Sequence, residues 1–434
     1  MDPKIEVSAA GPEADLQTRE AAYGAFVRDN LKHNYRATYL HGMLGMTGFR
    51  LVQAPTFLPA YLHALSGSSS IVGLALALQQ MGGVISPIFG ATLIEHRTKV
   101  LPATMLMGTL SRLVILGMAL AGWLLSGQSL VIALLALMFL FGLLQGPQRV
   151  QFAILLSKVI PIAMRGRLQA WRNATGGLIA AVLAYLAGRY LIEANVMGNG
   201  YSTTFLAAFV LTSAGLLALR TMREPEPPTT RERGRFRDRL RDFPRLVTQD
   251  RSYMWFLVVQ MMSMTSRIAV PFYVIYVGQS IPMTGATLGL LSLAFLGADT
   301  LSNLVWGYWG DKTGFRMVLL MSLAIWAGAT MLLMGVHHLG FIFIAFFGLG
   351  AAQSGYQMAA QTMILEFGSR DELPMRIAIS STAENVMATI GPLMGGVLAE
   401  FVGFQMVFGL SLVALAAAVV LTVVAVPEPR KRRV

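Results

Sequence analysis

Apolar residues run along this chain in long blocks separated by short polar stretches. Val72 to Ile94, Leu130 to Leu156 and Phe404 to Val426 each approach or exceed the roughly 20 residues that carry a helix across a bilayer. The pattern predicts helices over about 37–65, 69–94, 100–125, 129–157, 168–192, 202–222, 253–278, 286–309, 316–335, 340–365, 376–399 and 404–426. Twelve spans of about 20 residues need about 240 residues, so more than half of the chain's 434 residues would lie in lipid. The expected fold class is an all-α polytopic membrane protein.

Composition agrees. Hydrophobic residues make up 55% of the chain and charged residues 13%, where a soluble domain carries about 25% charge. The absence of cysteine excludes disulfides, thiolate metal sites and cysteine nucleophiles. The six histidines are scattered without an HExxH motif, and there is no nucleotide-binding loop and no GxSxG. No enzyme activity, metal or cofactor is expected.

The net charge of +12 changes the picture only through its location. Arg97 and Lys99, Lys158 with Arg165 and Arg167, Lys312 and Arg316, and Arg370 with Arg376 all fall in loops on one side. The loops near residues 66, 127, 280, 338 and 401 hold no Lys or Arg, and only Arg189 approaches that side. This is the positive-inside bias, not a nucleic-acid footprint, and it puts both termini in the cytoplasm. The stretch from Met1 to Leu31 is polar, mixed in charge and lacks the features of a signal peptide. The expected plan is a cytoplasmic segment 1–36, a six-helix bundle 37–222, an Arg-rich cytoplasmic linker 223–252, a second bundle 253–426 and a basic tail 427–434. In the linker, Phe236, Leu240, Phe243 and Val247 follow helical spacing. They suit either an amphipathic helix on anionic lipid or a solvated linker.

The second half restates the first. Gly73, Ala91 and Glu95 correspond to Gly289, Gly307 and Asp311 at a constant offset of 216. Phe141, Gly142, Leu143 and Gln151 match Phe347, Gly348, Leu349 and Gln357 at an offset of 206. Two six-helix repeats joined by a basic linker form a transporter architecture, with the solute site near the midplane between the halves.

The run Gly307, Tyr308, Trp309, Gly310, Asp311, Lys312, Thr313, Gly314, Phe315, Arg316 resembles the major facilitator superfamily loop motif G-x-x-x-D-R-x-G-R-R between spans eight and nine. Its first-half counterpart is degraded, with Ala91 and Thr98 for glycines and Glu95 for Asp. Pro55 and Pro59 resemble that family's proline pair in span one. The resemblance covers roughly residues 35–426 and implies twelve spans in two pseudo-symmetric halves. It also implies that Glu95 and Asp311 act in a loop latch with Gly307, Gly314 and Arg316, for which Arg165, Arg167 and Arg376 are candidate partners; the alternative is topology control by loop charge. Two signatures depart from the family pattern. G-P-x-x-G-G stands in span eleven (Gly391 to Gly396) where antiporters carry it in span five. In span four, Gly142 occupies the place of the Arg in R-x-x-Q-G.

Several charges lie where lipid would not tolerate them. Arg50 and Arg267 are deep in spans one and seven at equivalent places of the two halves. Such an Arg costs about 2.5–3.5 kcal/mol at midplane, so each must face a cavity or a partner. A planar donor fork on both sides suits a carboxylate or phosphate, and acids on neighbouring helices offer the structural alternative. Arg149 shares a helical stripe with Gln145, Gln148 and Phe152, and span ten carries Gln353, Tyr356, Gln357 and Gln361 at comparable spacing. These read as cavity lining or as interhelical hydrogen bonds. Arg112 in span three is expected to be structural. Asp299 and Glu384 are the acids clearly within spans, where each either carries a coupling proton or neutralises an Arg.

The sequence thus leads to a secondary active transporter for a small organic solute with an anionic group, proton-coupled and monomeric, in the bacterial inner membrane. An exporter of amphipathic drug-like compounds is the rival within the class. A non-transporting receptor or scaffold with a transporter fold is the rival outside it.

Overall fold

A computed structural model describes residues 12–92, 98–226, 250–365, 367 and 373–426, and every described element is helical. In chain order the first half comprises α1 (Pro12–Val52), α2 (Phe57–Ser66), α3 (Ser69–Thr92), α4 (Leu101–Leu124), α5 (Gly127–Val159), α6 (Ile162–Leu186) and α7 (Gly200–Arg220). The second half comprises α8 (Arg251–Ser266), α9 (Val270–Val277), α10 (Gly285–Thr313), α11 (Phe315–Gly335), α12 (Leu339–Ile364), α13 (Leu373–Phe401) and α14 (Phe404–Ala425). Among the described residues, nine helical rods are long and apolar enough to cross a membrane.

Spans one and seven are not the continuous helices that the hydrophobic pattern predicts. The first is α1 and α2 separated at residues 53–56, where Pro55 supplies no amide to a helical ladder. The seventh is α8 and α9 joined by a 3-10 turn, Arg267–Ala269, with Pro271 in the first turn of α9. Hydropathy is blind to such breaks because the residues around them remain apolar. They free backbone groups near the midplane, a feature of discontinuous transporter helices around a solute site.

At its other end, α1 begins far ahead of the predicted span. The extra turns lie along the first half: the Tyr23 hydroxyl donates to the Lys158 carbonyl at 2.9 Å, and Asn34 both donates to and accepts from the Arg223 backbone at 2.9 Å. Close by, Glu224 accepts from the Val100 and Leu101 amides at 2.8 Å, capping the start of α4, and pairs with Lys158 at 2.8 Å. Asp250 caps α8 through the Ser252 and Tyr253 amides at 3.1 Å and pairs with Arg376 at 2.9 Å. The apolar run of the linker and the basic tail lie outside the described residues.

The halves meet where α3 packs on α13 and α6 on α10. Both crossings are tight because glycines let backbones touch. A Cβ on Gly73 would strike the Pro392 carbonyl, and one on Gly188 would strike the Gly285 carbonyl. These contacts lie on the side of the loops that lack Lys and Arg. There Thr56 and Ser292 also hydrogen-bond across the halves.

Candidate functional site

A cavity of about 540 Å³ lies between the halves, beside the breaks in spans one and seven. Its wall includes Arg50, Arg149, Arg267, Asp299 and Glu384, together with Gln353 and Gln357. A connected space of about 270 Å³ adds Gln145 and again takes in Arg149. Gln148 lies outside both linings. Arg149, Gln357 and Gln361 are exposed, so the cavity widens toward the ends of α5 and α12 that run to the basic loops.

Arg50, two residues before the end of α1, points at α10 of the other half. Its Nη1 lies 3.1 Å from Asp299 Oδ2 and donates to the Thr300 hydroxyl at 3.0 Å. The pair is mostly buried, with side-chain exposures of 22% and 13%. Its pseudo-symmetric counterpart is held differently. Arg267 donates to the thioether of Met264 at 3.6 Å, and among the described residues no carboxylate comes within 4.0 Å of it. Arg149 donates to Gln145 Oε1 at 3.3 Å and is likewise without a carboxylate within that distance among the described residues. One cavity guanidinium is therefore neutralised across the halves while two are held only by neutral groups.

Glu384 is held by neutral donors. It accepts from Gln260 Nε2 at 3.1 Å and the Tyr356 hydroxyl at 3.2 Å, and Ser380 donates to Gln260 Oε1 at 2.5 Å. Three helices, α8, α12 and α13, thus converge on one carboxylate. Sequence reasoning missed Gln260 as its partner, and also missed Gln53 and Asn385 in the cavity wall. Pro55, two residues beyond Gln53, was the available signal for the break that exposes it.

Arg112 is structural, and carbonyls rather than an acid hold it. It donates to the Thr212 and Gly108 carbonyls at 2.8 and 2.7 Å, with its guanidinium 5.4 Å from the Phe49 ring centroid. Of the loop motif, Glu95 lies outside the described residues. Gly314 adopts φ +91° in the turn between α10 and α11, a conformation that an L side chain rarely takes. Gly307 faces open space, while Gly310 abuts the Phe315 ring. Arg316 donates to the Thr422 and Val423 carbonyls at the end of α14 at 3.2 and 2.9 Å, and Arg165 closes the end of α5 through the Ile160 and Ser157 carbonyls. Asp311 stands exposed at the end of α10.

Comparisons with known proteins fit this geometry. The multidrug resistance protein MdtG of Salmonella arizonae is 25% identical over 392 residues, covering 87% of this chain and 92% of the relative. Its counterpart in Salmonella choleraesuis matches equally. Among solved structures, a bacterial homologue of the iron transporter ferroportin in an inward-facing state superposes with a TM-score of 0.69 at 14% identity, over 91% of this chain and 98% of that one. A D-xylose-proton symporter gives 0.65 at 14% identity over 92% and 97%, and the nucleoside transporter NupG gives 0.64 at 12% over 90% and 96%. At these identities the structures speak for the fold alone. The model of the Major Facilitator Superfamily matches residues 40–266 and again 255–434. With two matched repeats and a cavity between the halves, this chain belongs to the Major Facilitator Superfamily, a multi-pass membrane transporter rather than an enzyme.

Proposed function

We propose that the protein is a secondary active transporter that moves a small organic solute bearing an anionic group by alternating access, coupled to protons. The observation that carries this reading is the state of the cavity's cations. Arg267 and Arg149 face the cavity without a carboxylate within 4.0 Å among the described residues, while Arg50 is held by Asp299. Arg267, half-buried without an ionised partner, is costly to hold in a low-dielectric wall, and an entering carboxylate or phosphate relieves that cost; Arg149, exposed at the wide end, adds positive charge on the way in. The amides of Gln145, Gln353 and Gln357 then accept or donate to its neutral groups.

Coupling follows from competition for Arg50. A proton on Asp299 releases the guanidinium, which turns to the solute anion. Departure of the proton restores the ion pair and weakens solute binding. Glu384, held by Tyr356 and Gln260, is the second candidate for the proton. The Gly307–Arg316 loop acts as a latch of the alternating bundle through Asp311. The transporter works as a monomer in a bacterial inner membrane, with both termini in the cytoplasm. Uptake and counterflow of labelled anions, cations and neutral solutes in proteoliposomes, with and without a pH gradient, test the reading. Transport restricted to cations or neutral solutes refutes it.

A second reading has its own observation. Leu58, Leu76, Phe295, Met264 and Met387 give the same cavity an apolar, adaptable side, and the MdtG relatives are named for multidrug resistance. Export of amphipathic compounds is therefore the alternative, and the same panel decides it by including lipophilic cations.

A further inference from the structure

The face at which the halves close carries two carboxylates that the cavity does not use. Glu400, at the end of α13, accepts from the Ser68 hydroxyl at 2.5 Å and the Ser70 amide at 2.8 Å, on the first turn of α3. Glu193, beyond the end of α6, accepts from the Ala286 amide at 2.7 Å, on the first turn of α10. Ser70 and Ala286 are separated by the same 216 residues as Gly73 and Gly289. The two helix starts also match in detail. The Ser68 hydroxyl accepts from the Ile71 amide at 3.3 Å, and the Thr284 hydroxyl from the Thr287 amide at 3.2 Å. Each carboxylate belongs to one half and sits on a helix N-terminus of the other, where unpaired amides and the helix dipole favour negative charge.

The match survives a difference in residue count. Gly396 and Gly188 occupy equivalent crossings: a Cβ on Gly396 would meet the Ser69 carbonyl and Gly73 Cα, and one on Gly188 would meet the Gly285 carbonyl and Gly289 Cα. Glu400 follows its glycine by four residues, one α turn, but Glu193 follows by five. The extra residue is absorbed by a π turn, Ala187–Ile192, in which the Glu193 amide bonds to the Gly188 carbonyl at 3.0 Å. In an unbroken α-helix one extra residue would turn Glu193 about 100° away from α10. π turns are rare and concentrate at functional positions; this one keeps a carboxylate in register.

We propose that Glu193 and Glu400 are paired latches of this face, each fastening one half to the other, and that both contacts must break for the face to open. At Glu193 the partner within its own half is Arg189, 2.9 Å from Oε1, so the carboxylate retains a salt bridge when it leaves α10. The proposal rests on alternating access but is independent of the solute.

The chain lacks cysteine, which permits a direct test. Spin labels at Ser126→Cys and His337→Cys, exposed in the loops of this face, report its opening by pulsed electron resonance in nanodiscs. Glu193→Gln with Glu400→Gln keeps side-chain shape but removes the charge. It is expected to raise the long-distance population at least about fivefold, because the three bonds that the two carboxylates accept across the halves lose their charge assistance. In the same variant, maleimide labelling of Ser381→Cys, exposed on α13 one turn before the cavity-lining Asn385, should slow. Distances like those of the parent overturn the latch, and so does faster labelling at both faces, the mark of general loosening. Gly73→Trp, which must wedge the α3–α13 crossing, separates the two failures. If it opens the face while the glutamine variant does not, the latch alone is wrong. If neither opens it, alternation itself is refuted.

Discussion

Arg50 and Asp299 come from opposite halves of the chain and meet at 3.1 Å beside the break in span one. The same guanidinium that is suited to an anionic solute is therefore already engaged by an acid of the other half. The acid is a structural counter-charge, and under the proposed function it is also a competitor of the solute. Asp299→Asn should leave Arg50 free, so solute exchange persists and binding is no weaker. Accumulation driven by a proton gradient should be lost. Glu384→Gln should likewise abolish accumulation and preserve exchange. Proteoliposome assays of both variants decide the matter: if both still concentrate solute, neither acid carries the proton.

The two central arginines should respond unequally. Arg50→Lys and Arg267→Lys keep the charge but lose the fork, and each should weaken solute binding by about 1–3 kcal/mol. The larger effect is expected at Arg267, which has no carboxylate within 4.0 Å among the described residues. Ligand-induced thermal shifts on purified variants measure this. Wild-type affinity in folded Arg50→Ala and Arg267→Ala proteins would place the pair in the helix scaffold.

Glu224 should matter for stability, not for transport chemistry. Its side chain is 3% exposed, pairs with Lys158 and caps α4 through two amides. Removing one partner of such a pair costs about 3–5 kcal/mol. Glu224→Ala should lower the melting temperature in detergent clearly more than Lys99→Ala, whose pair with Glu226 is exposed on both sides. Equal melting temperatures would show that the cap contributes little.

Orientation is open to a labelling experiment of its own. Single cysteines at Ser66 and Ser280 should react with an impermeant maleimide added outside intact cells, and one at Thr230 should not. Labelling of Thr230 alone would invert the topology.

Hydropathy made the membrane-spanning character and the internal repeat legible because both are long-range averages over many apolar residues. It did not reveal the breaks in spans one and seven, since Pro55 and Pro271 interrupt the ladder without lowering apolarity. Arg50, Arg267, Asp299 and Glu384 stood out because charge is rare in a span. Their partners did not, because the link from Arg50 to Asp299 depends on how two distant helices face each other. The Glu193 and Glu400 contacts were hidden for a similar reason. A carboxylate at a loop reads as ordinary surface until the helix start that it touches is known.

The cavity wall holds the guanidiniums of Arg50, Arg149 and Arg267 against the carboxylates of Asp299 and Glu384. With both acids ionised, these five side chains carry one net positive charge when the cavity is empty; under the proposed coupling a monoanion binds together with a proton on Asp299, which leaves the same charge when it is loaded. Moving one elementary charge through 100 mV is worth about 2.3 kcal/mol. Loaded and empty carriers of that kind would feel the membrane voltage equally, in opposite halves of the cycle. The unequal number of arginines and acids in the wall would set the charge that each half-turn moves, and the pairing of a proton with a monoanion would make a full cycle electroneutral.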